Sequence, residues 1–261
     1  MEHLLLQRWQ TAQATVRGRS HRKEGVLCQD KTCAYEDGRL TVVALADGAG
    51  SRRRSDEGAG LAVETVAGLL ADRFDEVYES QDGGRLVLDA VLRALAKAAA
   101  GVDVGEFAST LLFAAVQSGR FLAGHLGDGV IGLVNGGDCS VLSGPDRGEY
   151  ANQTYFTTDA DAESHLRLYR GPAPDGFILM SDGAAQAFYS RRDNALAPAV
   201  RKVLAWPESY PSAKVSRALQ ENLEWIAGER TADDCSLVIM KRVVVEAGEL
   251  LGRSSSFRRI S

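Results

Sequence analysis

Asp47, Asp128, Asp182 and Asp234 stand at the edges of strand-like apolar runs, in Ala46-Asp47-Gly48-Ala49-Gly50, Gly127-Asp128-Gly129, Ser181-Asp182-Gly183 and Asp233-Asp234-Cys235. Three of them close such a run, at Leu40 to Ala46, Phe121 to Leu126 and Phe177 to Met180, whereas Asp234 opens one at Cys235 to Met240. In an antiparallel sheet the end of one strand lies beside the start of its neighbour, so the four carboxylates can gather at one sheet edge. At roughly 4 Å and an effective dielectric near 20, each pair would repel by about 4 kcal/mol. Divalent cations relieve that repulsion, and an all-oxygen donor set suits the hard ions Mg²⁺ and Mn²⁺. Singly, each Asp-Gly is an ordinary turn; the joint pattern is what points to chemistry.

The elements that must position these groups come in clusters. Short alternating runs at Thr11 to Val16, Thr32 to Tyr35 and Leu40 to Ala46 read as strands. Ala62, Val66, Leu69, Leu70 and Phe74, then Val87, Leu88, Val91, Leu92 and Leu95 after Asp82-Gly83-Gly84, predict two antiparallel amphipathic helices. Strand character returns at Ser109 to Val116, Phe121 to Val134, Ser140 to Leu142 and Phe177 to Met180. A second helical block is expected from about Ala184 to Gly228, its last helix marked by Val215, Leu219, Leu223 and Ile226 and capped by Ser212, before a final strand from Cys235 to Val245. Grouped strands argue for an α+β fold of antiparallel sheets with paired helices, and against a doubly wound parallel sheet. Residues 1–250 read as one domain, followed by a mobile basic tail over 251–261.

Taken in order, Gln29-Asp30, Ala46-Asp47-Gly48-Ala49-Gly50-Ser51, Ser109-Thr110-Leu111-Leu112, Gly124-His125-Leu126-Gly127-Asp128, Leu179-Met180-Ser181-Asp182-Gly183 and Asp233-Asp234-Cys235-Ser236 resemble the metal-dependent protein phosphatase family, type 2C. The resemblance runs from about Gly18 to Met240. It implies a central sandwich of two antiparallel β-sheets with paired α-helices on each outer face, four layers in all. It also implies a centre of two Mn²⁺ or Mg²⁺ ions, with a weaker third, at one end of the sandwich. By motif position Asp47 would bridge the two ions and the Gly48 carbonyl would ligate one of them. Asp182 and Asp234 would hold the other, Asp128 would help Asp182 with the third, and Asp30 would orient water at the ions. The implied reaction is hydrolysis of phosphoserine and phosphothreonine on proteins phosphorylated by a Ser/Thr kinase, as in bacterial signal transduction. Paired cations suit this chemistry because they render water hydroxide-like at neutral pH and neutralise the phosphoryl oxygens.

The chain departs from the family at several points. Many eukaryotic relatives carry His after the Asp-Gly that falls at Asp47-Gly48; here the position is Ala49. His21 is the candidate general acid in its place, imidazole being the side chain that titrates near neutrality. The resemblance also implies that one arginine, Arg19 or Arg22, binds the substrate phosphate through its guanidinium fork, as the family's early arginine does. Cys235 and Cys28 stand where Asn is common, and read as small packing residues. No nucleophile elbow or phosphate-cradling loop accompanies them, so no covalent phosphoenzyme is expected.

The 261-residue chain is 45% hydrophobic and 25% charged, an ordinary globular composition, and its net charge of −5 lacks the basic footprint of nucleic-acid binding. Its apolar stretches fall short of the roughly 18 residues needed to span a bilayer, and the start, Met1 to Leu6, lacks a secretory signal's basic region. Four cysteines without CxxC spacing read as reduced thiols, and a cytoplasmic, membrane-free setting is the expectation. Two other readings stand beside the leading one: a pseudophosphatase that binds without turnover, and a two-metal hydrolase of small phosphate esters.

Overall fold

The computed structural model describes residues 5–146 and 154–246; the expected tail at 251–261 lies outside them. In chain order the elements are β1 (Leu5–Val16), α1 (Arg19–Glu24), β2 (Lys31–Glu36), β3 (Leu40–Ala46), α2 (Ser55–Glu79), α3 (Gly83–Ala99), a 3₁₀ turn (Val104–Phe107), β4 (Leu111–Gln117), β5 (Arg120–Leu126), β6 (Val130–Asn135) and β7 (Asp138–Ser143). Then follow α4 (Ala162–His165), β8 (Arg167–Pro172), β9 (Gly176–Met180), α5 (Asp182–Phe188), a β10–β11 ribbon (Tyr189–Ser190 and Ala195–Leu196), α6 (Pro198–Ser209), α7 (Ser212–Glu229) and β12 (Cys235–Glu246). One sheet has the order β1-β12-β9-β6-β7 and the other β2-β3-β4-β5-β8, with every pairing antiparallel.

Period-two alternation explains the layers. In β3, Leu40, Val42, Ala44 and Ala46 join the core beneath α2 and α3, while Val43 and Leu45 point the other way, into the core between the sheets. That inter-sheet core also takes Leu112, Ile131, Phe177, Leu179, Val238 and Met240 from strands of both sheets. On the far side Ile178, Leu237 and Ile239 meet Val215, Leu219, Leu223 and Ile226 of α7 and Val200 and Leu204 of α6. Strands buried on both faces lose their polar alternation, hence the near-continuous apolar runs. The expected four-layer sandwich is the observed architecture.

Several local expectations change. Phe121 to Val134 is two strands, because Gly127, at φ +109°, turns the chain between β5 and β6. β8 escaped notice because Arg-Leu-Tyr-Arg-Gly-Pro at an edge is half solvated and carries two arginines. The residues around His21, for which no element was expected, form α1, ended by Gly25 in the left-handed region at φ +72°. Ser212 does not cap α7: it is the first helical residue, and Pro211 holds the cap position without a side-chain bond. β1 begins at Leu5, well before Thr11, drawn out by its pairing with β12.

Gly58 of α2 sits against the 3₁₀ turn, where an added Cβ would lie 1.9 Å from the Phe107 carbonyl oxygen. Backbone cannot yield as a side-chain tip can. Gly58→Ala is therefore expected to lower unfolding stability by about 2 kcal/mol despite alanine's better helix propensity, measurable by urea denaturation.

Candidate active site

Strand register gathers the acidic residues at one end of the sandwich. Lys31 pairs with Ala46, and one step further Asp30 comes beside Asp47. Leu45 pairs with Leu112, and two steps on, Asp47 meets Thr110: the Thr110 N–H donates to the Asp47 carbonyl at 2.8 Å, and the Asp47 N–H donates to Thr110 Oγ1 at 2.9 Å. Leu111 pairs with Leu126, so Thr110 faces Gly127, where a Cβ would lie 2.5 Å from the threonine methyl. Asp128 follows directly and accepts a 2.8 Å bond from Thr154 Oγ1.

The second sheet ends in a matching row. Ser181 N–H donates to the Ser236 carbonyl at 3.1 Å and Ser236 N–H to Ser181 Oγ at 3.0 Å, continuing the β9–β12 pairing to bring Asp182 beside Asp233 and Asp234. Gly183 is required there, since a Cβ would meet the Asp234 carbonyl oxygen at 2.1 Å. Gly48 is equally constrained: its N–H donates to the Gln29 carbonyl at 3.2 Å, it bridges to Ser109, and a Cβ would collide with the Ser55 backbone at 2.8 Å.

Electrostatics identify Asp47 as the centre. Burial pushes its carboxyl well above the ordinary range, and the charges of Asp30, Asp182, Asp233 and Asp128 add to the rise. Asp30 is raised to about 7, first by burial and then by Asp234 and Asp182; the nearby Ser236 and Ser181 hydroxyls oppose the rise. Asp182 is also raised to about 7, by burial, Asp128 and Asp233, while the Gly183 N–H and hydrogen bonding with the Asp47 carboxyl pull the other way. Asp233, at the exposed rim, is raised by desolvation and by Asp234 and Asp128.

Asp234 acts on Asp30 but not on Asp47 or Asp182 among the leading charges, and its own oxygens are taken up by the chain. Its Oδ1 accepts the Gly18 N–H at 2.6 Å, and its Oδ2 accepts the Gln29 N–H at 2.7 Å and lies 2.9 Å from His21 Nδ1. Three protein partners thus engage the carboxylate of Asp234, the expected ion ligand, whereas the neighbouring Asp233 is the one whose charge raises Asp47 and Asp182. An Asp-Asp pair gives no sign in sequence of which member points inward. The buttressing roles of Thr110, Ser181 and Ser236 were equally hidden, although all three lie inside the ordered motifs, Ser109 to Leu112, Leu179 to Gly183 and Asp233 to Ser236.

His21 lies on α1, its ring held by Asp234. Arg19 and Arg22 are exposed on the same helix: Arg19 Nε donates to the Thr231 carbonyl at 3.3 Å and Arg22 Nε to the Arg17 carbonyl at 2.8 Å. Arg54 is bound instead to Glu57, at 2.9 and 2.6 Å, with its guanidinium 4.2 Å from the centre of the Phe107 ring. Burial pushes the Cys28 thiol far up and that of Cys235 to about 12, with Asp30 the next contributor to both, so neither supplies thiolate near neutrality.

The donors fit divalent cations. Both oxygens of Asp30, Oδ1 of Asp182, Oε1 of Gln29 and the hydroxyls of Ser109 and Ser236 are buried without a hydrogen-bond partner, and all lie at this end of the sandwich. Among the described residues no three His, Cys, Asp or Glu side chains close on a single point as a metal cage would. Mg²⁺ and Mn²⁺ do not need one: Mg²⁺ typically keeps several waters and binds through one or two carboxylates.

The sequence and fold place the chain among known proteins. The family model described as Protein phosphatase 2C matches residues 17–224. Serine/threonine-protein phosphatase 3 of Escherichia coli K12 is 32% identical over 178 residues, covering 62% of this chain and 67% of that one. A serine/threonine phosphatase from Staphylococcus aureus superposes with a TM-score of 0.65 at 12% identity, over 90% of this chain and 95% of that one. The catalytic domain of the serine/threonine phosphatase PstP, solved in complex with two manganese ions, gives 0.61 at 20% identity, over 92% and 100%.

The raised carboxyls set a pH dependence. In the folded, ion-free chain Asp30 and Asp182 hold their protons up to about pH 7, whereas their ordinary value is 3.8. Between these values unfolding releases protons, so their contribution makes stability fall as pH rises from near 4 to near 7. Chelator-treated protein is expected to melt higher at pH 5.5 than at pH 7.5, with a shallower slope in Asp30→Asn, and Mn²⁺ should raise the melting temperature more at pH 7.5. Differential scanning calorimetry across pH checks all three. With its motifs ordered along both sheet ends and its family model spanning most of its length, the chain belongs to the protein phosphatase 2C family and is a phosphatase of that family.

Proposed function

We propose that this phosphatase hydrolyses phosphoserine and phosphothreonine on proteins phosphorylated by a Ser/Thr kinase, in the cytoplasm, with two Mn²⁺ or Mg²⁺ ions and a weaker third. The observation behind this reading is the centring of Asp47 among Asp30, Asp128, Asp182 and Asp233, a charge arrangement that costs stability unless cations offset it. Asp47 would face both ions, the Gly48 carbonyl and Asp182 with Asp233 would complete their protein donors, and Asp128 with Asp182 would hold the third. The bound ions supply the charge that acidifies an attacking water and offsets charge on the phosphoryl oxygens.

The remaining work falls to the chain's own groups. Asp30, buried with the Ser181 and Ser236 hydroxyls beside it, is set to accept a proton from the attacking water and fix its orientation. If the Nδ1–H of His21 donates to Asp234, Nε2 remains to hold the proton that the departing serine or threonine oxygen needs. Arg19 or Arg22, each anchored through Nε, has Nη groups left to grip phosphate oxygens. The manganese-bound PstP domain, the bacterial relatives and the absence of a thiolate-forming cysteine at the site all favour direct attack by water.

Activity on phosphothreonine peptides is expected only with added Mn²⁺ or Mg²⁺, to vanish in EDTA, and to survive cysteine alkylation. Asp47→Asn and Asp182→Asn should each lower kcat by about a hundredfold or more, and Asp233→Asn should cost more than Asp234→Asn in Mn²⁺ affinity, read by calorimetric titration. Activity persisting in chelator would defeat this reading. His21→Ala should lose more activity on phosphopeptides than on an aryl phosphate whose leaving group needs no proton; equal proportional losses on the two would remove His21 from the reaction.

A further inference from the structure

Beside the acidic cluster, the loop from Gly25 to Gln29 presents Leu27, whose relative exposure of 67% is the highest among the large exposed apolar side chains of the described residues. Single exposed leucines are common on proteins, so exposure alone says little. The setting of Leu27 is less ordinary. Arg17 Nη1 donates to the Val26 carbonyl at 3.3 Å and Lys31 Nζ donates to the Cys28 carbonyl at 2.7 Å, so cationic side chains clamp the backbone on both sides of it. The Val26 N–H donates to the His21 carbonyl at 2.9 Å, fastening the loop to α1, and the Gln29 N–H is held by Asp234. The apolar side chain is thus held outward on a loop braced at every step, which lowers the ordering cost of binding anything against it.

The surrounding charge is the opposite of the site's. Arg19, Arg22 and Lys23 are exposed along α1, and neither Arg22 nor Lys23 makes an ion pair among the described residues. Leu27 lies three positions before Asp30, at most about 10 Å of extended chain. A peptide with its phosphate at the acidic cluster would cover that distance in about three residues.

We infer that Leu27, with the cationic Arg17 and the exposed Lys23 of the adjoining α1, is a recognition ledge for the phosphoprotein substrate, selecting a segment with an apolar side chain about three residues from the phosphorylated one and acidic side chains around it. This rests on the phosphoprotein reading and adds a specificity-determining residue to it. The apolar contact excludes water from Leu27, and the basic residues balance the repulsion that an acidic segment meets from the site's carboxylates.

The test uses the full chain with Mn²⁺, an aryl phosphate, and acid-flanked phosphothreonine peptides carrying Leu or Ala three residues to either side of the phosphate. Wild type should prefer the better-placed Leu peptide by about tenfold in kcat/KM. Leu27→Asp should abolish that preference chiefly through KM, and Leu27→Met should keep it. Lys23→Glu should lower kcat/KM for the acid-flanked peptide more than for one with a neutral flank. A preference that survives in Leu27→Asp, no preference in wild type, or equal proportional losses on peptide and aryl phosphate would overturn the inference. Wild type that turns over aryl phosphate and no phosphopeptide would instead defeat the underlying phosphoprotein reading.

Discussion

Like charges forced together at the end of a β-sandwich are the constraint around which this molecule is built. Asp47 is surrounded by the carboxyls of Asp30, Asp128, Asp182 and Asp233, and burial adds to the cost of ionising it. Such an arrangement survives only because the rest of the fold is strong enough to hold it. Three apolar layers, two under helices and one between the sheets, supply that strength, and the raised carboxyls show how far local stability is given up at the site. The same penalty that makes the ion-free site unfavourable is what would make it selective for hard divalent cations.

Rigidity comes from the backbone. Thr110 pins Asp47 through two hydrogen bonds, and the Ser181 and Ser236 segments lock together at the end of the other sheet. Glycines at 48 and 183 let chain segments approach closer than any side chain permits. The acidic side chains therefore project from positions fixed by strand register, and a shift of one residue would turn them to the opposite face.

Asp233 and Asp234 show how adjacent identical residues divide their labour. Asp234 ties α1, through Gly18 and His21, to Gln29 and so to the start of β2, while Asp233 stays at the rim facing the cluster. A carboxylate with three protein donors is a structural joint: it carries the segment bearing Arg19, Arg22 and Leu27 to the edge of the site. One buried side chain thereby links the acidic cluster to α1 and the loop that follows it.

Much of this was legible in the chain itself. Asp47, Asp128 and Asp182 were readable because each terminates a strand-length apolar run, and antiparallel sheets with paired helices were readable because the strands come in groups; the four-layer sandwich followed from the resemblance that the ordered motifs carry. α1 and β8 were not, since a six-residue helix with no buried side chain and a charged edge strand leave almost no hydrophobic period to detect. The choice between Asp233 and Asp234 also lay beyond the sequence, because neighbouring residues on a bend point in directions set by what packs around them. Local pattern determined which residues are acidic, apolar or turning; only long-range pairing, which joins residue 18 to 234 and 47 to 110, decided which carboxylates share a pocket and which serve as struts.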